Sequence, residues 1–295
     1  MSDPRKVAVV TDSTADVPTE LVLKRGLTVV PLTVILDGQS YLDGVEIDAG
    51  AFYARLAGEG ATASTSQPSP GRFAETYQRL LADHEEVVSL HISSKLSGTY
   101  AAAVQGAEMA GAERVRVLDT ELVSMPLGLL ALAASAMAAD GVSAEAITQR
   151  LRSLQQGMRV YFMVATLEHL RRGGRIGRAS ALLGSVLQVK PVLTLADGEV
   201  TPLERVRTHE RALGRVIELA NELPGRVAAF VGHAAAEEDA LRIAEALEPR
   251  AETLIVAPLG PVVGAHAGPG TVGVGCYEAG LFPLGIKLTA TVAAG

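Results

Sequence analysis

The sequence predicts an α/β protein of two domains. An N-terminal domain built on a parallel sheet covers residues 1–157, and a C-terminal mixed α/β domain with a hairpin covers 158–295. Three observations carry this. Short apolar strand-like runs alternate with helical periodicity through the first half, as in a parallel sheet covered on both faces. Asp197-Gly198 lies between two strand-like runs, a hairpin signature that brings antiparallel pairing into the second half. Gln155-Gln156-Gly157 interrupts two patterned runs and marks the boundary.

The elements follow in order. Residues 7–11 form a strand run, and 18–24 a short helix stopped by Gly26. A second apolar run, 27–36, ends at the turn pair Asp37-Gly38. Ser69-Pro70 reads as an N-cap followed by the first helical residue, with Phe73, Tyr77, Leu80 and Leu81 at helical spacing behind it. Residues 87–92 predict a strand, 98–110 a helix and 115–118 a strand. Helices follow over 125–139 and 144–155, the second capped by Ser143.

In the second half a strand is expected over 160–165, a short helix over 167–172 and another over about 179–187. The hairpin arms are 192–195 and 199–205. A helix over 209–222, a strand over 227–231, a helix over 237–247 and a strand over 253–256 come next, and 271–277 closes the pattern.

Composition sets bounds on function. The chain has 295 residues, 48% of them hydrophobic, and a mean hydropathy of +0.26, which suits an ample core and an apolar ligand besides. Trp is absent and aromatics are few, so an apolar pocket would be lined mostly by aliphatic side chains. The net charge of −7 argues against nucleic acid or an anionic membrane as the main partner. The single cysteine, Cys276, excludes a disulfide scaffold and fits a reducing compartment. The first residues do not have the shape of a signal peptide, and the apolar stretch 125–139 is too short to span a bilayer. A cytoplasmic protein without stable membrane insertion is expected.

Chemistry-bearing residues gather after the strands of the first half. Asp12-Ser13-Thr14, the segment Ser93 to Thr99, and Asp119-Thr120 all fall at the carboxyl ends of parallel strands, where such sheets bind ligands. The segment Ile92-Ser93-Ser94-Lys95-Leu96-Ser97-Gly98-Thr99-Tyr100 turns from strand into helix and offers hydroxyls and free N–H groups to a small anion. In Ser64-Thr65-Ser66-Gln67-Pro68-Ser69, Thr65 or Ser66 could donate to an anionic oxygen, although caps and turns use the same residues. His266, in a glycine-flanked segment read as a loop, could pair with a carboxylate or be an ordinary loop histidine. The run Arg171 to Arg178 could meet a phosphate or an acidic partner, or could be a solvated helix end.

Gly268-Pro269-Gly270-Thr271-Val272-Gly273 matches a dinucleotide fingerprint in letters only, because a strand-like run follows it instead of a helix. No P-loop, nucleophile elbow or metal-ligand spacing is present. Binding without chemistry leads. A hydrolase or transferase using Ser97 and His266, and a regulatory module for another small anion, stay open as alternatives.

Five segments in order resemble the DegV family: Val10-Thr11-Asp12-Ser13-Thr14-Ala15-Asp16, Thr65-Ser66-Gln67-Pro68-Ser69, Ile92 through Tyr100, Leu170-Arg171-Arg172-Gly173-Gly174-Arg175-Ile176, and His266 to Gly275. The resemblance implies a bacterial two-domain α/β protein that binds a long-chain fatty acid such as palmitate and does no chemistry itself. It also implies a role as the binding subunit of a fatty acid kinase, whose partner subunit brings ATP and makes the acyl-phosphate. By position, the carboxylate pair implied is Thr65 and Ser97, supported by the Gly98 backbone and His266. Ser66, Ser94 and Arg175 are further supporting candidates, and Arg175 with the stretch Arg205 to Arg207 corresponds to positions near the ligand or kinase face. Lys95 stands where the family often has Gly. A C14–C18 fatty acid is the only ligand implied, with no metal or other cofactor.

Overall fold

The computed structural model describes residues 6–183 and 190–289. β1 (Val7–Asp12) buries all six of its residues. A single 3-10 turn and Asp16, in the left-handed region at φ 51°, lead into α1 (Thr19–Arg25), which Gly26 ends. The apolar run over 27–36 is two strands where one was expected. Pro31, which has no N–H for a ladder, separates β2 (Thr28–Val30) from β3 (Thr33–Leu36), and the two join different sheets. Asp37 and Gly38, at φ 52° and 79°, turn β3 back into β4 (Gln39–Leu42). After α2 (Ala49–Leu56), β5 (Ala63–Ser66) pairs antiparallel with β3 and completes a three-stranded sheet.

α3 (Pro70–Leu81) starts as the sequence predicts. Ser69 Oγ accepts the Arg72 N–H at 3.3 Å, and Phe73 and Tyr77 are buried. β6 (Glu86–His91), α4 (Thr99–Ala110) and β7 (Val115–Asp119) follow, and the strands close a parallel sheet in the order β2-β1-β6-β7.

α5 (Met125–Ala139) is apolar all round, and 13 of its residues are buried. Such a helix needs cover on every side, and it packs on β1 and β6 of the parallel sheet on one side. On the other it meets two strands of the second half, Val227–His233 and Val272–Glu278. Gly128 permits the closest approach, since a Cβ there would lie 2.6 Å from the Ala15 carbonyl oxygen and 2.9 Å from the Phe230 ring. One apolar core therefore runs from Val7 through α5 to Tyr277 and Ile286. α6 (Ala144–Gly157), capped by Ser143, ends where the sequence changes pattern.

The second half begins with β8 (Arg159–Met163) and α7 (Glu168–Arg172). The helix expected over 179–187 is instead a 3-10 helix, Gly177–Leu182, and its expected end at 184–187 lies outside the described residues. β9 (Lys190–Ala196) and β10 (Glu199–Val206) form the hairpin, with Asp197 and Gly198 at φ 51° and 78° in its turn. Then come α8 (His209–Asn221), β11 (Val227–His233), α9 (Glu237–Leu247), β12 (Ala251–Pro258), α10 (Pro261–Ala267), β13 (Val272–Glu278) and β14 (Lys287–Thr289). Seven strands make one mixed sheet in the order β10-β9-β8-β13-β11-β12-β14, in which β12 runs parallel to β11 and β14. The chain is thus α/β, with a parallel sheet in the first half and a mixed sheet in the second. No helix among the described residues is long and apolar enough to cross a membrane.

Candidate functional site

A cavity of 840 Å³ lies where the two halves meet. Its walls are mostly aliphatic. Leu32, Ile92 and Leu96 come from the first half, Val123 and Met125 from the start of α5, Val160 and Phe162 from β8, Leu195 and Val200 from the hairpin, and Val262 and Val263 from α10. Thr65, Ser97, Arg175 and His266 join them as polar lining. A second cleft of 760 Å³, lined by Ser64, His169, Arg172 and Gly173 among others, also includes Thr65, Arg175 and His266. These three residues therefore stand at the boundary between an apolar interior and a polar outer cleft.

Thr65 is aimed by strand alternation. It pairs with Val34 across β3, and its neighbours Ser64 and Ser66 fall on the exposed face. His266 is not on a loop, as the sequence reading had it, but in the last turn of α10. The Gly260-Pro261 start and the Gly268 stop, at φ 80°, are what hold so short a helix between two strands. His266 Nε2 lies 2.8 Å from Thr65 Oγ1.

Its Nδ1 is buried without a hydrogen-bond partner and rests against Gly173, where a Cβ would come within 2.1 Å of it. Burial, and then the charge of Arg175, push the His266 imidazolium down to about 4. The ring is neutral at neutral pH. The tautomer protonated at Nε2 avoids a buried orphan N–H at Nδ1 and donates to Thr65, which frees the threonine hydroxyl proton for an anionic oxygen.

Arg175 is fixed by two carbonyls. Its Nε donates to Leu96 O at 3.0 Å and its Nη1 to Gly173 O at 2.5 Å, so the guanidinium bridges the loops on either side of the cavity mouth. The rest of the basic run is engaged elsewhere: Arg171 and Arg172 pair with Glu168, and Arg178 with Asp197 and Glu199. Ser97 Oγ lies 2.9 Å from Thr99 Oγ1 and accepts the Thr99 N–H at the start of α4. Gly98 caps that helix at close quarters, since a Cβ would fall 2.1 Å from Gln67 Oε1.

The other sequence candidates lie apart from this group. Ser66 is exposed and its hydroxyl donates to Gln67 O. Ser94 is exposed, with its N–H on the Asp119 carboxylate. Lys95, Arg205 and Arg207 are exposed and line neither cavity. A Ser97–His266 catalytic pair has no geometric basis. The histidine bonds Thr65, the serine bonds Thr99, and no carboxylate orients Nδ1.

One constellation escaped sequence reasoning. Tyr77 Oη, Ser89 Oγ, His91 and Asp12 form a chain of hydrogen bonds at 2.8, 2.7 and 2.9 Å, all fully buried. The Ser–His–Asp order copies a hydrolase triad, but the serine is sealed from solvent and already bonded to Tyr77. Its work is structural, because Asp12 also accepts the N–H groups of Thr14 and Ile92 and so ties together the loops after β1 and β6. Period-2 spacing of Ser89 and His91 on one strand face was the available signal. Thr14 of the Asp12-Ser13-Thr14 cluster adds a hydroxyl to the cavity wall, and so does Ser124, which the sequence reading missed.

The depressed value of His266 gives a direct prediction. In ¹H–¹⁵N spectra its ring should stay neutral from pH 8 to pH 5 in the free protein. Because the folded value lies below the unfolded one, the contribution of His266 to stability is lost as pH falls from about 6.5 toward 4. A bound carboxylate should raise that value. A free-protein titration near 6.5 would contradict the burial described here.

Fold and site together define a binding protein: two α/β sheets closed over an aliphatic cavity, with hydroxyl, imidazole and guanidinium groups at its mouth. The chain belongs to the DegV family, whose family model matches residues 6–279. It is 43% identical over 276 residues to the DegV domain-containing protein SCO2569 of Streptomyces coelicolor, covering 92% of this chain and 98% of that one. It is 35% identical over 277 residues to Protein DegV of Bacillus subtilis, covering 91% and 98%.

Among solved structures it is similar to a fatty acid binding DegV family protein from Thermus thermophilus, with a TM-score of 0.88, 38% identity, and 92% and 99% of the two chains covered. It is also similar to a stearic acid-binding protein from Eubacterium ventriosum, with a TM-score of 0.84, 26% identity, and 92% and 98% covered. Both of these relatives are named for binding a fatty acid.

Proposed function

We propose that this protein binds a long-chain fatty acid, with the acyl chain in the aliphatic cavity and the carboxylate at the mouth. Thr65, Ser97, the Gly98 backbone and His266 hold the head group, and Arg175 supplies the nearby positive charge. The observation that carries this reading is the set Thr65, His266 and Arg175, which lines both the apolar cavity and the outer cleft. A ligand fitted to such a boundary has one anionic end and one apolar end.

Magnitudes support it. Burying a chain of roughly 16 carbons gains about 11 kcal/mol gross at about 0.8 kcal/mol per methylene, and the ordering costs of binding take a large share. Affinity then comes mainly from the chain, and orientation from the head-group donors.

With the carboxylate at an open mouth, the protein serves as the carrier subunit of an ATP-dependent fatty acid kinase. It presents the head group to a partner that makes the acyl-phosphate. In this reading residues 1–157 and 158–295 act as two domains clasping the ligand, in the cytoplasm where ATP is present.

The test uses the isolated protein with palmitate, stearate, octanoate and inorganic phosphate. We expect saturable binding of the two long chains, far weaker binding of octanoate and none of phosphate. No acyl-phosphate should form with ATP until a kinase subunit is added. Phosphate binding without fatty acid binding would favour the small-anion module instead.

A further inference from the structure

His266 occupies one end of α10, and two carboxyl groups, Asp43 buried and Asp16 half-buried, occupy the other. Asp16 Oδ1 accepts the Gly260 N–H at 2.9 Å, and Ser124 Oγ donates to Asp16 Oδ2 at 2.5 Å. Asp43, on the loop after β4, is 4% exposed, and its Oδ2 has no hydrogen-bond partner. Both carboxyls close over the same backbone atom. A Cβ on Gly260 would lie 2.8 Å from Asp16 Oδ1 and 3.3 Å from Asp43 Oδ1.

The surroundings offer no compensating cation. The cleft beside the pair is lined by Asp12, Asp16, Asp43 and Asp48, and by no Lys, Arg or His among the described residues. Tyr53 of α2 faces the pair and donates its hydroxyl to Leu259 O at 3.0 Å, and Ser13 and Ser124 supply the hydroxyls. His91 is bonded to the Asp12 carboxyl. Two carboxylates flanking one backbone atom in a largely buried setting, with no positive partner, cannot both ionise cheaply.

The segment they hold matters to the cavity. α10 contributes Val262, Val263, His266 and Ala267 to the cavity wall, and Ser124, bonded to Asp16, lines it as well.

We propose that Asp16 and Asp43 form a protonation-dependent latch on the amino end of α10. With a proton on the pair, α10 seats against the loops after β1 and β4 and completes the cavity wall. When that proton leaves, two like charges face each other beside Gly260 and α10 loosens. The device depends on neither the identity nor the presence of the cavity ligand.

Burial, the first cause, raises Asp43 from 3.8 to about 7 and holds Asp16 well above the ordinary carboxylate range. The folded state thus keeps a proton that the unfolded chain releases. The stabilisation is whole at acid pH and is lost as pH rises through the window from about 4 to 7.

The test uses the ligand-free protein, wild type and Asp43→Asn, a near-isosteric change that cannot ionise. In the wild type, the melting temperature should fall from pH 5.5 to 8.5 more steeply than in Asp43→Asn, and the variant should be the more stable at pH 8.5. Amide exchange over residues 259–267, corrected for its intrinsic pH dependence, should accelerate across the same range in the wild type only. The ¹³C carboxyl signal of Asp43 should titrate near neutrality. A titration below pH 5, or identical pH slopes in the two proteins, would overturn the latch. If the variant fails to fold, the wild-type carboxyl titration and amide exchange decide the matter alone.

Discussion

Asp12→Ala should destabilise the protein by about 3–5 kcal/mol, the usual cost of removing one partner from a buried ionisable pair. The reason is the number of groups that Asp12 serves. Its carboxyl accepts from the Thr14 N–H, the Thr14 hydroxyl and the Ile92 N–H, and pairs with His91 Nδ1, all in a fully buried setting. Alanine would leave these groups without a partner where water cannot reach them, at about 1–3 kcal/mol for each orphaned donor.

Because the same carboxyl ties the loop after β1 to the loop after β6, the damage extends to Thr14, Ile92 and Leu96 of the cavity wall. Tyr77→Phe is the graded control. It removes only the outermost hydroxyl of the chain and should cost about 0.5–1.5 kcal/mol. Urea unfolding at pH 7 measures both. An Asp12→Ala loss no larger than that of Tyr77→Phe would show that the network does not act as described.

Thr65→Val combined with Ser97→Ala should lower fatty acid affinity by roughly a hundredfold or more while the protein stays folded. Hydrogen bonds to a charged group are worth about 1.5–3 kcal/mol each, so each exceeds the tenfold step of about 1.4 kcal/mol and the two together reach about a hundredfold. Valine keeps the shape of Thr65 in β5, and neither residue is fully buried, so the packing cost is small. Thr65→Val alone also strips His266 Nε2 of its partner at 2.8 Å, and should therefore be the more damaging single change. Displacement of a fluorescent fatty acid reads the affinity, and circular dichroism confirms the fold. Unchanged affinity in the double variant would remove these two hydroxyls from the head-group site.

The sequence made the outer frame legible because strong local signals agreed with the final packing. The Ser69-Pro70 start of α3, the uniformly apolar α5 and the Asp197-Gly198 hairpin all appear where their chemistry dictates. The misses share a cause. β5 is Ala-Ser-Thr-Ser, which has little strand character alone and is a strand only because β3 pairs with it. α10 spans seven residues, too few for periodicity to show, although Gly260-Pro261 and Gly268 frame it.

The site was legible residue by residue but not as an arrangement. Thr65 and His266 are 201 positions apart, and no local pattern foretells that the histidine bonds the threonine instead of Ser97. In the same way, the motif residues Asp12 and Asp16 look like ordinary turn formers in sequence. Only the folded chain shows that one anchors a buried network and the other meets Asp43 over Gly260.

The central claim is that the aliphatic cavity holds a fatty acid. Native mass spectrometry of the protein as purified from a bacterial host, followed by solvent extraction of any bound lipid, tests it most directly. A stoichiometric adduct with the mass of a long-chain fatty acid, lost in the Thr65→Val, Ser97→Ala variant, is the result expected. A ligand-free mass from a protein that also fails to take up added palmitate or oleate would contradict the account.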